Sequence, residues 1–113
     1  MSNQVIDWLE SQQDNMLDLL GELVNIDSNS FAKAGVDRVA TRLAEFFDAQ
    51  SIPHETIPIT NHGDAMLAVV AGGHGTRPIL LCGHRDTVFP TGEVATRPFR
   101  IENGRAYGPG VAD

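Results

Sequence analysis

The segment ILLCGHRD, residues 79–86, is an apolar run that ends in three ionisable side chains. Its apolar part predicts the most apolar strand of the chain. Cys82 would share a face with His84 and is a possible ligand, but a buried inert thiol is the ordinary case in such a strand. If the strand continues, alternate side chains share a face, so His84 and Asp86 point one way and Arg85 points the other. Such a pair suits a metal site, because one ring nitrogen binds the ion while the other donates a hydrogen bond to the carboxylate. A His–Asp hydrogen bond at a strand end, without metal, explains the same residues.

The first half of the chain has the periodicity of helices. Apolar residues recur at three- and four-residue steps over 4–26 and again over 35–50, which predicts two amphipathic helices. Pro53 prevents the second helix from continuing, because the residue before a proline prefers an extended backbone. The DSNS stretch, residues 27–30, is interpreted as a loop or a helix-cap cluster.

The second half has the pattern of strands and turns. Short strands are predicted at 54–59, 65–71 and 79–83, and an Asn-Gly pair at the centre of 99–108 predicts a hairpin. Two helices followed by several strands predict an α/β or an α+β arrangement of layers. The GGHG stretch, residues 72–75, is interpreted as a tight turn, because no phosphate-loop Gly-Lys-Ser/Thr follows it.

Size, charge and cysteine content restrict the class of protein. The 113 residues suit one domain, and no apolar run reaches the roughly 20 residues that cross a membrane. The N-terminus lacks the basic start and apolar core of a signal peptide, so we expect a cytoplasmic protein. A net charge of −7 argues against nucleic acid as a partner. The single cysteine excludes an internal disulfide framework.

Three other histidines and Asp113 are further candidates for metal ligands. His54, His62 and His74 lie at predicted strand edges or turns, where a solvated imidazole is the ordinary case. Asp113 follows a Gly-Pro-Gly bend that lets the backbone pass close to a neighbouring group. This carboxylate is either placed to reach a metal or simply exposed to solvent, and the stretch alone leaves both alternatives open.

The longer stretch CGHRDTVFPTGEVATRPFRIENGRAYGPGVAD, residues 82–113, resembles the start of the metal site in a family of di-zinc metallopeptidases and amidohydrolases. This family contains glutamate carboxypeptidase, aminoacylase, acetylornithine deacetylase and succinyl-diaminopimelate desuccinylase. The shared pattern is an apolar strand, then Gly-His-x-Asp-Thr-Val, then a Pro-Phe pair and a Tyr-Gly-x-Gly bend before an aspartate. The amino-acid sequence of residues 82–113 is most similar to the glutamate carboxypeptidase branch.

The resemblance implies roles for three residues and a reaction. His84 would ligate one zinc, Asp113 would bridge two zinc ions, and Asp86 would be the catalytic carboxylate that orients His84. The cofactor would be two zinc ions, with cobalt or another divalent ion as a substitute. The reaction would be hydrolysis of an amide bond in a small peptide or N-acyl amino acid, with release of an amino acid. Family members are often homodimers.

The same resemblance implies that residues 1–113 are the N-terminal portion of a zinc-peptidase-like α/β catalytic domain, with two helices followed by a mixed β-sheet. The general base, the other ligands and the dimerisation or lid domain of the family have no counterpart in these residues. We therefore expect an incomplete fold and an inactive fragment of an active hydrolase. The alternative is a short non-enzymatic protein that binds a full-length relative or a complementary chain through its exposed sheet.

Overall fold

The computed structural model describes residues 2–75 and 77–113, and its first half contains three helices. These are α1 (Ser2–Ser11), α2 (Gln13–Val24) and α3 (Lys33–Ala49). The single helix expected over 4–26 is therefore interrupted, and the helix expected over 35–50 is confirmed with an earlier start. Within the described residues, none of the helices combines the length and apolar character needed to cross a membrane.

The interruption between α1 and α2 has a local cause. The Ser11 hydroxyl donates to the carbonyl oxygen of Trp8 at 2.6 Å, and the Gln12 N–H donates to the carbonyl of Leu9 at 3.0 Å. Both bonds span three residues, which tightens the last turn and competes with the ordinary α-helical pattern. The apolar periodicity runs through this break, so the sequence predicted one helix where two exist.

Among the described residues, the strands form two separate antiparallel pairs. In the first, β1 (His54–Ile57) pairs with β2 (Ala65–Ala68), and Glu55 lies opposite Leu67. In the second, β3 (Arg100–Glu102) pairs with β4 (Arg105–Tyr107). The helix-then-strand order of an α/β chain is confirmed, whereas the expected mixed sheet is wrong for the described residues.

The hairpin formed by β3 and β4 confirms the hairpin predicted within residues 99–108. Asn103 and Gly104 have φ values of 52° and 73°, the left-handed conformations that a two-residue hairpin turn of this kind requires. A short helix that the sequence did not predict, α4 (Glu93–Thr96), precedes the hairpin. Asp27 accepts hydrogen bonds from the backbone N–H groups of Gly92 and Val94 at 2.9 and 3.1 Å, so a distant carboxylate holds the start of α4.

Residues 79–83 form no strand, which contradicts the sequence prediction. Ile79, Leu80 and Leu81 are 89%, 81% and 89% exposed, and Cys82 is exposed as well. A strand is stable only when its N–H and C=O groups pair with a neighbour, and within residues 2–75 and 77–113 β2 pairs only with β1. The segment instead borders an open groove of about 840 Å³ beside β2 and α3.

A small core contains side chains of α2 and α3, with Val24 beside Gly108 and Val36 beside Gly63. Its buried apolar side chains are Val24, Val36, Val39 and Ala40. Phe99 packs on α2 at Gly21, where an added Cβ would lie 2.8 Å from the ring. Close packing at glycines therefore fixes how the hairpin region approaches the helices.

Gly35 provides a test of this packing. Replacing a helical glycine by alanine ordinarily stabilises a helix by up to about 1 kcal/mol. At Gly35 the added Cβ would overlap the backbone carbonyl of Asp27, so we expect Gly35→Ala to destabilise the fold by about 1–3 kcal/mol instead. Urea denaturation followed by circular dichroism measures the difference.

Gly72→Ala is the matched control, because an added Cβ there meets no atom within 4 Å. We expect its unfolding free energy to stay within about 0.5 kcal/mol of the parent. A Gly35→Ala variant more stable than the parent would show that the 25–30 loop does not press on α3.

Candidate metal centre

His84 lies between the two carboxylates that the sequence singled out. Its Nδ1 atom is 3.2 Å from Oδ1 of Asp86 and 2.9 Å from the backbone oxygen of Asp86. Its Nε2 atom is 2.7 Å from Oδ1 of Asp113. The structure therefore brings together the three residues that the sequence proposed for the site, with one carboxylate on each ring nitrogen.

Asp113 reaches His84 through the Gly-Pro-Gly bend. Gly110 has a φ of 76°, and a Cβ added there would lie 2.6 Å from Cγ2 of Thr87. Only glycine adopts this conformation without strain and allows the close approach. The bend thus folds residues 108–113 back onto the segment that follows His84.

Arg85 points away from His84 and anchors the segment on its other side. Its guanidinium donates a hydrogen bond to the backbone carbonyl of Asp64. The Asp64 carboxylate accepts from Lys33 Nζ at 2.6 Å, and the backbone N–H of Asp64 donates to Asp37 Oδ1 at 2.7 Å. This network ties the segment to the turn before β2 and to the start of α3.

The loop at residues 28–30, to which the sequence analysis assigned no function, contacts residues 86 and 87. Asn29 forms a parallel bridge with Thr87. Thr87 N–H donates to the carbonyl of Ser28 at 2.8 Å, and Ser30 N–H donates to the carbonyl of Thr87 at 3.1 Å. The Ser30 hydroxyl then donates to Oδ2 of Asp86 at 2.5 Å. The DSNS pattern indicated a loop or cap but contained no signal for a partner so far along the chain.

The protonation of the site follows from these contacts. The hydrogen bond to the Asp113 carboxylate is the main cause that raises the pKa of His84 above its ordinary value of 6.5, with the Asp86 backbone next. The hydrogen bond from the Ser30 hydroxyl is the main cause that lowers the pKa of Asp86. A ring that favours its protonated form therefore lies between the carboxylates of Asp86 and Asp113.

The donor types suit zinc, but their number and spacing do not complete a zinc site. Imidazole nitrogen and carboxylate oxygen are ordinary zinc ligands, and two atoms bound to one tetrahedral zinc at about 2.0–2.1 Å lie about 3.3 Å apart. The 2.7 Å contact between His84 and Asp113 is instead a direct hydrogen bond. Asp86 faces the other ring nitrogen, and the described residues contain no cluster of three or more His, Cys, Asp or Glu side chains able to hold an ion.

The remaining histidines and Cys82 lie outside this arrangement. His54 was expected to be solvated, but its Nε2 atom lies 2.7 Å from Oδ1 of Asp48. His62 lies beside the ring of Phe31, with 6.5 Å between the ring centroids. Cys82 was expected to be buried and is exposed, because residues 79–83 do not form the buried strand to which it was assigned.

Comparison with known proteins identifies hydrolases as relatives. The chain is 32% identical to carboxypeptidase G2 of Pseudomonas sp. (strain RS-16) over 108 residues, which cover 90% of this chain and 25% of the relative. It is 29% identical to acetylornithine deacetylase of Salmonella arizonae over 104 residues, 86% of this chain and 27% of the relative. With acetylornithine deacetylase of Proteus mirabilis it shares 41% identity over 66 residues, 56% of this chain and 16% of the relative. No family model matches the chain.

These relatives are hydrolases that act on peptide or acyl amino acid substrates. The chain belongs to the metallopeptidase family that includes carboxypeptidase G2 and acetylornithine deacetylase, as the resemblance of residues 82–113 predicted. It spans about a quarter of the length of the two relatives that it matches over most of its residues.

The raised pKa of His84 predicts a pH dependence that Asp113 controls. Because the folded-state pKa lies above 6.5, the pair stabilises the fold fully below that pH and loses this contribution as pH rises through the raised value. We expect Asp113→Asn to lower the pKa of His84 and to flatten this part of the stability profile. Titration of the His84 ring resonances by NMR measures the shift.

Asp48→Asn is the control for this prediction, because it removes the carboxylate from the other His–Asp pair. We expect the His84 titration in that variant to match the parent. An Asp113→Asn protein whose His84 titrates as in the parent would show that the two side chains are not paired in solution.

Proposed function

We propose that this chain contributes the first ligands of a two-zinc centre and that the protein to which it belongs hydrolyses an amide bond. The observation that carries the proposal is the convergence of Asp86 and Asp113 on the two ring nitrogens of His84. Its placement within the stretch that resembles the family motif, in a chain related to carboxypeptidase G2, supports the assignment. The product would be a free amino acid.

Each of the three side chains would have its own task. Nε2 of His84 would bind one zinc, and Asp86 would accept the Nδ1 proton, which fixes the tautomer and the direction of the ring. Asp113, which is hydrogen-bonded to His84, would be a ligand shared by the two zinc ions. Zinc, when bound, would polarise the scissile carbonyl and lower the pKa of water.

A complete zinc site needs more ligands than His84 and Asp113. A tetrahedral zinc takes four ligands, and these residues offer two. We propose that residues 1–113 form the N-terminal portion of a catalytic domain, that the general base and remaining ligands come from further polypeptide, and that residues 1–113 alone are inactive. A cytoplasmic location stays a prediction.

We further propose a peptide or N-acyl amino acid as the substrate, with a C-terminal glutamate preferred. The preference rests on the similarity of residues 82–113 to the glutamate carboxypeptidase branch and on the match to carboxypeptidase G2 over 90% of this chain. The two acetylornithine deacetylases make an N-acetylated amino acid the main competitor.

The exposed apolar segment favours a second candidate function. Ile79, Leu80 and Leu81 lie exposed beside the groove next to β2. A non-enzymatic chain could pair this segment with a full-length relative or a complementary chain. Light scattering of the chain alone and mixed with such a protein tests this candidate, since a chain that only aggregates and forms no defined complex contradicts it.

A chimera tests the proposed hydrolase function. The part of carboxypeptidase G2 that aligns with this chain is replaced by residues 1–113, and hydrolysis of an N-acyl glutamate and of an N-acetylated amino acid is measured with zinc. We expect the glutamate substrate to be cleaved faster. His84→Ala and Asp113→Asn should each lower kcat/KM by at least about 100-fold, because each removes a proposed ligand.

His74→Ala is the matched control in the chimera, because it removes a histidine from the 72–75 turn, outside the proposed site. We expect its kcat/KM to stay within about twofold of the unmodified chimera. A zinc-dependent chimera that keeps full activity after His84→Ala would contradict the assignment of the ligands.

A further inference from the structure

Ser30 has a contact that the proposed reaction does not yet explain. Its hydroxyl lies 2.5 Å from Oδ2 of Asp86 and 3.3 Å from the carbonyl oxygen of Thr87. A hydroxyl has one proton to donate, and an ionised carboxylate is a stronger acceptor than a carbonyl. The Ser30 hydroxyl therefore donates its hydrogen bond to Asp86, which lies 56 positions further along the sequence.

The backbone leaves Ser30 little freedom to choose another partner. Its own N–H is bound to Thr87, and its neighbour Asn29 donates from Nδ2 to the carbonyl of Phe89 at 3.0 Å. The Asn29 side chain also accepts from the N–H of Phe31 at 3.0 Å. The loop is thus attached on both sides of Ser30, and its hydroxyl is held against Asp86.

This contact controls how the Asp86 carboxylate is turned. The torsion that rotates a carboxylate has a broad energy profile, so the group needs partners on both oxygens to stay in one orientation. Ser30 occupies Oδ2, and the other oxygen, Oδ1, lies 3.2 Å from Nδ1 of His84, which is also 2.9 Å from the backbone oxygen of Asp86. The ring of His84 then presents Nε2 toward Asp113.

We propose that Ser30 is a positioning residue that fixes the orientation of the Asp86 carboxylate and, through it, the orientation of the His84 ring. The effect passes from the Ser30 hydroxyl to Asp86 and from Asp86 to His84. Its consequence for metal binding rests on the proposed function, because it requires that Nε2 of His84 bind zinc. Its consequence for the orientation of His84 in the metal-free chain does not.

The test is site-resolved NMR of the chain labelled with ¹⁵N in its histidines, with zinc added stepwise. His84 is assigned from the signals lost in His84→Gln. We expect Ser30→Ala to shift the Nδ1 resonance of His84 before zinc is added. It should also weaken zinc binding at His84 by about tenfold, the lower end of what loss of an outer hydrogen-bond partner costs. Ser30→Thr keeps the hydroxyl and should restore both.

Ser28→Ala is the matched control, since it removes a hydroxyl from the same loop. Ser28 is 3% exposed, and its contact with Thr87 is through the backbone carbonyl, which alanine keeps. We expect the His84 resonance of this variant to match the parent and its zinc affinity to stay within about twofold. A loss of fold in any variant is detected from the dispersion of its amide signals.

The outcomes separate the two proposals. If zinc shifts His84 equally in the parent and in Ser30→Ala, and the metal-free resonance is also unchanged, the positioning role is overturned and the metal role stands. If zinc shifts His84 in none of the proteins, the metal role fails. A change of Nδ1 in Ser30→Ala that Ser30→Thr reverses would still support the positioning role. An equal change in Ser28→Ala would overturn it.

Discussion

The structure depends on the polar loop at residues 25–30, which holds the helical half of the chain against the half that contains the candidate site. Asn25 Oδ1 accepts from the N–H of Phe99 at 2.8 Å, and the Asp27 carboxylate accepts from two N–H groups at the start of α4. The loop also forms the parallel bridge between Asn29 and Thr87. Hydrogen bonds that satisfy otherwise unpaired backbone groups are costly to lose, so this loop determines where the site lies.

The candidate site is assembled from three stretches that are far apart in the sequence. The loop supplies Ser30, the segment after the apolar run supplies His84 and Asp86, and the Gly-Pro-Gly bend brings Asp113. The result is a row of hydrogen bonds in which each carboxylate holds one side of the imidazole ring. Such an arrangement orients a histidine for a metal and, without one, favours the imidazolium form.

Local pattern was sufficient for the elements whose stability is local. The 3.6-residue periodicity located the helical residues of the first half, although it indicated neither the break between α1 and α2 nor the short helix α4. The Asn103-Gly104 pair located the hairpin, because such structures form from contacts between near neighbours. The same reasoning failed for residues 79–83. An apolar composition predicts burial, but a strand also needs a partner strand, and the periodicity of one segment contains no information about its partner.

The candidate site was predictable to the extent that a motif joins its residues. The resemblance of residues 82–113 proposed His84, Asp86 and Asp113 together. The role of Ser30 could not be proposed, because its contact with Asp86 depends on how a loop 56 positions away folds back. Neither periodicity nor composition specifies such a contact, since the loop residues are ordinary polar side chains. The tertiary structure provides this information.

We propose that His84 and Asp113 are two ligands of a metal centre that residues 1–113 do not complete. Calorimetric titration of the chain with zinc is the decisive experiment. We expect zinc to bind with a dissociation constant of about 10 µM or weaker, since two protein ligands fill half of a tetrahedral shell. This binding should be lost in His84→Ala. Two zinc ions bound tightly per chain, or zinc binding unchanged by His84→Ala, would contradict it.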